Sequence, residues 1–105
     1  MRRPGSTKNT VPTSYRPEFA VNLVAYFADC LEKAEAVKEG KAKGPGRWPT
    51  VVHFCEVARV NHHTMRGWSR SIPELRQALN KCAEIRLQIS RLELDELVFD
   101  SELAP

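Results

Sequence analysis

Between Arg59 and Arg70 the chain places Arg59, Asn61, His62, His63, Arg66, Ser69 and Arg70 with no acid among them. These side chains donate hydrogen bonds to phosphate oxygens and base edges, and an arginine can grip guanine O6 and N7 with two parallel N–H groups. Val60, Thr64, Met65 and Trp68 are interleaved with them at helical spacing. One face of such a helix can be buried while the other stays polar and basic. The chemistry implied is recognition of a polyanion. Arg66 is the candidate reader of a base. His62 and His63 stand at the helix start, the end that reaches base edges, and Arg59, Ser69 and Arg70 are placed for phosphates.

Bond-making chemistry finds little support. Gly44-Pro45-Gly46 lacks the Gly-Lys-Ser/Thr ending of a phosphate-binding loop and has no strand before it. No serine or cysteine occupies a recognisable nucleophile motif. A zinc site assembled from Cys30, His53, Cys55, His62, His63 and Cys82 would have no paired-ligand spacing. We therefore expect no enzyme activity, no metal and no cofactor. The three cysteines are an odd number, far apart, and read as reduced core thiols of a cytosolic protein.

The basic helix needs neighbours to hold it. Thr50, after Pro49, is a natural N-cap for a helix over about 51–58, with Val51, Phe54, Val57 and Ala58 inward and Cys55 small enough for close approach. Val60 plugs the turn, and Asn61 caps a second helix over about 62–70. Helix, three-residue turn and helix make the layout of a DNA-reading helix-turn-helix, whose second helix lies in the major groove. Trp68 is large enough to lock the pair at a fixed angle. Arg59 stands where such turns favour glycine, so a left-handed conformation there carries strain. Gly67 costs about 1 kcal/mol relative to alanine in mid-helix, and its bare backbone would admit DNA or a neighbouring helix.

A scaffold helix should precede the motif over 17–39. It opens on Pro17, repeats Ala20, Leu23, Val24, Phe27, Leu31 and Ala34 at three and four residues, and stops at Gly40. Residues 40–49 then form a breaker-rich loop whose Lys41, Lys43 and Arg47 could touch a phosphate backbone. Pro73 and Glu74 open a last helix expected to continue over 72–100. Its stripe of Leu79, Cys82, Ile85, Ile89 and Leu92, with Leu94 and Leu97 added, exceeds what a small core needs and reads as an oligomerisation face. A fold-back of this helix onto its own domain is the alternative. Residues 1–16 read as a flexible basic arm carrying Arg2, Arg3 and Lys8, and residues 101–105 as an acidic tail. The fold class is thus all-α, a helix-turn-helix domain over 17–71 followed by a long helix.

Charge divides the chain in the same way. Residues 1–70 hold 12 Lys/Arg against 6 Asp/Glu, and residues 71–105 hold 4 against 7. The front half suits a polyanion, whose counterions it can displace, and the rear half suits protein. No apolar run approaches a membrane span, and the start, Met-Arg-Arg-Pro-Gly-Ser-Thr-Lys, is not that of a secretory signal. The expected location is cytoplasmic, with no membrane partner.

From Arg47-Trp48-Pro49-Thr50 through Leu87 the chain resembles the small terminase subunits of tailed bacteriophages, of helix-turn-helix type. The resemblance rests on Pro49-Thr50-Val51, Phe54-Cys55, Ala58, Val60, Thr64 and Trp68, then Ile72-Pro73-Glu74-Leu75 and Ala78-Leu79, with Tyr26-Phe27 ahead of the loop. It implies a subunit that recognises viral double-stranded DNA for genome packaging, assembles into a homo-oligomeric ring, and regulates a large ATPase/nuclease subunit in the host bacterial cytoplasm. Asn61 to Arg70 would face DNA, Ile72 to Phe99 would form the ring contact, and the acidic stretch 93–105 could meet the large subunit. Two other functions use the same elements. One is a dimeric helix-turn-helix transcriptional regulator on a palindromic site. The other is a protein–protein adaptor whose helix pair no longer touches DNA.

Overall fold

The computed structural model describes residues 15–99. Helix α1 spans Pro17–Lys38, strand β1 Gly46–Trp48, α2 Val51–Ala58, α3 His62–Ser71, α4 Pro73–Arg91, and strand β2 Leu97–Phe99. The protein is mostly helical, as expected. No helix among the described residues is long and apolar enough to cross a membrane.

The frame is the pair α1 and α4. The Tyr15 hydroxyl bonds Glu74, the Cys82 thiol points at the Leu23 carbonyl, and the Arg86 guanidinium lies over the Phe27 ring. Each of these pairs is separated by the same 59 residues, so the two helices run parallel and in step. Their buried side chains explain why. Ala20, Leu23, Phe27, Cys30 and Ala34 on α1, and Leu75, Ala78, Cys82, Ile85 and Ile89 on α4, recur at alternating three- and four-residue intervals. Each helix thus presents one continuous apolar seam. Alanines at positions 20, 34 and 78 let the backbones approach.

This pairing corrects the expected oligomerisation face. Cys82, Ile85 and Ile89 are buried against the chain's own α1. Leu79, Leu92 and Leu94 are partly buried against the same core, and Leu97 belongs to β2. The helix itself ends at Arg91, well short of residue 100. Glu93 adopts a left-handed conformation with φ 52°, and its N–H bonds the Ser90 carbonyl. The chain then turns back to lay β2 beside β1. Of the apolar residues outside the helical stripe, Leu94, Leu97 and Val98 lie on this return, whereas Leu87 stays on α4 and is exposed.

The loop after α1 is correspondingly shorter than expected. Gly40, at φ 78°, terminates α1 while Lys41 N–H bonds the Ala36 carbonyl and Gly40 N–H the Val37 carbonyl. That double closure is the usual glycine-stopped helix end. Residues 46–48 leave the loop as β1, paired parallel with β2 in the register Gly46 to Leu97, Arg47 to Val98 and Trp48 to Phe99. Gly46 is buried, and a Cβ there would collide with Leu94 and Leu97. At the opposite end, Tyr15 and Arg16 do not belong to a free arm. Tyr15 is docked edge-on against Phe19 and Trp68. The arm's remaining residues, Arg2, Arg3 and Lys8 among them, lie outside the described residues, as does the tail 101–105.

Candidate nucleic-acid interface

Two short helices and a three-residue turn build the candidate site. The Thr50 hydroxyl accepts the His53 N–H at 3.0 Å and caps α2. The Asn61 side chain accepts the His63 N–H at 2.7 Å and caps α3. Both caps were expected, and each satisfies one of the amides that a helix start leaves open. Between them Arg59 is left-handed, φ 60° and ψ 43°, and Val60 is buried. An arginine in the left-handed region carries the backbone strain expected of it.

Packing then selects the face that α3 shows to solvent. Met65 is buried, and Thr64 and Trp68 are partly buried. The Trp68 ring stacks on Phe19 at 5.6 Å and 18° and meets Tyr15 edge-on at 5.5 Å. Its ring partners are Tyr15, just before α1, and Phe19, in the first turn of α1, so the tryptophan fastens α3 to the scaffold helix. On α2, Phe54 and Cys55 are buried while Val57 faces solvent, contrary to the inward position expected for Val57. The exposed face of α3 comprises His62, His63, Arg66, Gly67, Arg70 and Ser71, with Arg59 and Asn61 exposed beside it. Among the described residues no carboxylate pairs with Arg59, Arg66 or Arg70.

Not every expected residue joins this face. Ser69 is partly buried, and its hydroxyl donates to the Arg66 carbonyl at 2.7 Å within the same helix. Lys41, Lys43 and Arg47 lie with the end of α1, whereas Trp68 sits by its start. At 1.5 Å per residue the two ends of α1, Pro17 and Lys38, are about 32 Å apart. Lys41 is engaged with Glu39 at 3.2 Å. The basic loop and the basic helix are thus separate surfaces.

Two arginines of α4 escaped notice in the sequence. Arg76 donates from Nη1 to the Ser69 and Arg70 carbonyls at 3.3 and 3.1 Å, closing the C-terminal end of α3. A cation there also complements the helix dipole. Arg86 lies 5.8 Å from the Trp48 ring and 6.0 Å from the Phe27 ring. Arg86 thereby joins β1 to both long helices through cation–π contacts. Neither role has a local motif, since both depend on which carbonyls or rings the fold brings near.

The cysteines are buried, with no disulfide among them. Burial pushes the Cys82 thiol up to about 12, against a smaller lowering by Arg86. Burial, then the nearby Glu56 charge, pushes the Cys55 thiol up as well. Both favour the protonated, weakly nucleophilic form at neutral pH. Among the described residues no group of three His, Cys, Asp or Glu is placed to hold a metal ion. Compared with protein-family models, with curated proteins and with solved structures, the chain matches none.

Proposed function

We propose that the protein binds duplex DNA by laying α3 in the major groove. The observation that carries this reading is the exposed face of α3, where His62, His63, Arg66 and Arg70 converge with no acid on the helix. An α-helix fits a groove about 12 Å wide. Arg66 reads a base edge, His62 and His63 enter at the helix start, and Arg59 and Arg70 hold the flanking phosphates. Thr50, Asn61 and Arg76 keep the two helices in position by satisfying their ends. On the resemblance of its residues to small terminase subunits, we further propose that the DNA is viral and that binding serves genome packaging.

The test is a fluorescence-anisotropy titration of labelled duplex over a range of salt. Arg70→Ala is expected to weaken binding uniformly across sequences and to lower the salt slope by about 1. Arg66→Ala is expected to lose about 1–3 kcal/mol, most of it as discrimination at one base pair. If the double variant binds every duplex as the parent does, α3 is not the contact.

A further inference from the structure

The side of α1 that carries the helix pair also carries a second basic surface. Phe19, Tyr26 and Lys33 stand at successive seven-residue steps, a spacing that returns to the same side of an α-helix with a drift of about 20° per step. Phe19 holds α3 through the Trp68 ring, and Tyr26 meets the Phe54 ring of α2 at 6.3 Å. Lys33 lines a cleft of about 360 Å³ between α1 and the loop leading into β1. Helix α3, helix α2 and this cleft are therefore set in a row along one side of α1.

The charge in the cleft is of one sign. Its described lining includes Lys33, Lys43 and Arg47 and no acid. Lys43 and Arg47 are exposed. Arg47 stands between buried Gly46 and partly buried Trp48 on β1, so its side chain leaves the other face of the strand. Lys33 is 3.0 Å from Asp29. Both are exposed, and an exposed pair of this kind is weak and screened by salt, so a phosphate can take the lysine. Glu93, Asp95 and Glu96 line a different cleft, with Lys38. Lys38 lies about 140° around α1 from Lys33.

Position indicates which polyanion this surface meets. Lys33 is about 21 Å along α1 from Phe19, or about six base pairs of duplex at 3.4 Å each. A duplex read by α3 and running beside α1 passes the cleft within one helical turn of about 34 Å. We infer that Lys33, Lys43 and Arg47 hold the phosphate backbone of the same duplex that α3 reads. This second contact rests on the proposed reading of α3 and adds to it a grip that carries no base code, since phosphate contacts fix register and affinity alone.

The test sets the parent against a Lys33→Gln, Lys43→Gln double variant, with circular dichroism confirming retained helix. Two labelled DNAs are used, a duplex of about 24 base pairs and a hairpin whose stem of about six base pairs is too short to span α3 and the cleft. Anisotropy is read from about 50 to about 200 mM salt. On the long duplex the variant is expected to lower the salt slope by about 2, so that the parent loses about tenfold more affinity than the variant across that range. Discrimination between base sequences is expected to stay as in the parent. On the short stem the two proteins are expected to share one slope. An unchanged slope on the long duplex overturns the inference. An equal fall on both DNAs overturns it too, because the cleft would then bind DNA apart from α3. An unchanged long-duplex slope, with phosphatidylserine vesicles sedimenting the parent but not the variant, would give the cleft to a membrane surface instead. Arg66→Ala with Arg70→Ala is expected to weaken binding to both DNAs. If it weakens neither, the reading of α3 has failed, whatever the lysine variant does.

Discussion

Tyr15 is held by a 2.6 Å hydrogen bond to Glu74 and by the rings of Phe19 and Trp68. Burial first, then the Glu74 hydrogen bond and the charges of Glu74 and Glu18, push its pKa from 10.0 up to about 12. Ionisation is therefore harder in the folded chain than in the unfolded one. The stabilisation is complete below the ordinary tyrosine value and is lost as pH rises through the interval from about 10 to about 12. Urea unfolding over that interval should show the parent losing stability, and Tyr15→Phe should lack this component. Gly67 gives a second expectation at this scale. It lies on the exposed face of α3, and a Cβ there would meet nothing within 4 Å. A neighbouring helix of this chain thus gives no reason for the glycine. Gly67→Ala should raise stability by about 0.5–1 kcal/mol in the same urea assay. If α3 lies against DNA, the added methyl group sits between helix and groove. The variant should then bind duplex more weakly while unfolding at higher urea.

At the scale of elements, the short sheet depends on one missing side chain. β1 and β2 are three residues each, too short to persist on ladder hydrogen bonds alone, and Gly46 lets Leu94 and Leu97 close over β1. Gly46→Val would push those leucines away and detach the return segment. The expected cost is about 1–3 kcal/mol. Hydrogen exchange should show faster exchange at Val98 and Trp48 with little change in α3. Equal loss of protection throughout the chain would mean that the sheet is not a separable unit. The elements of the helix pair depend on local signals instead. Thr50, Asn61, Pro17 and Pro73 occupy the positions that capping and proline geometry favour, and the corresponding helix starts were legible from residue type. The end of α4 was not legible, because Glu93 is neither glycine nor asparagine and no proline stands between Arg91 and Phe99. Return of the chain to β1 imposes that stop.

For the whole molecule, the deciding feature is the parallel seam between α1 and α4. Helix α3 is packed by the start of this seam, and the small sheet lies towards its end. The seam makes Ile89, fully buried against α1, a core residue. Ile89→Ala should cost about 2–5 kcal/mol of folding stability. Circular dichroism and urea unfolding should find the same loss at every protein concentration. A loss that disappears at high concentration would return Ile89 to a subunit interface. The arrangement also keeps basic α3 apart from the acidic residues 93–96, so the division of charge along the sequence becomes a division in space.

Residue type and spacing alone determined the helices' existence, their N-terminal caps, the left-handed turn at Arg59 and the basic outward face of α3. These are local matters, set within one or two turns of chain by capping, periodicity and the burial of Val60, Met65 and Trp68. The tertiary structure alone decided what the α4 stripe packs against. An apolar seam states that something must cover it, but a second copy and the chain's own α1 satisfy that demand equally well in one dimension. Only the parallel, in-step pairing of α1 with α4 separates the two. The same pairing carries Lys41, Lys43 and Arg47 away from α3, brings Arg76 to its end, and turns residues 97–99 from helix into a strand with one open edge.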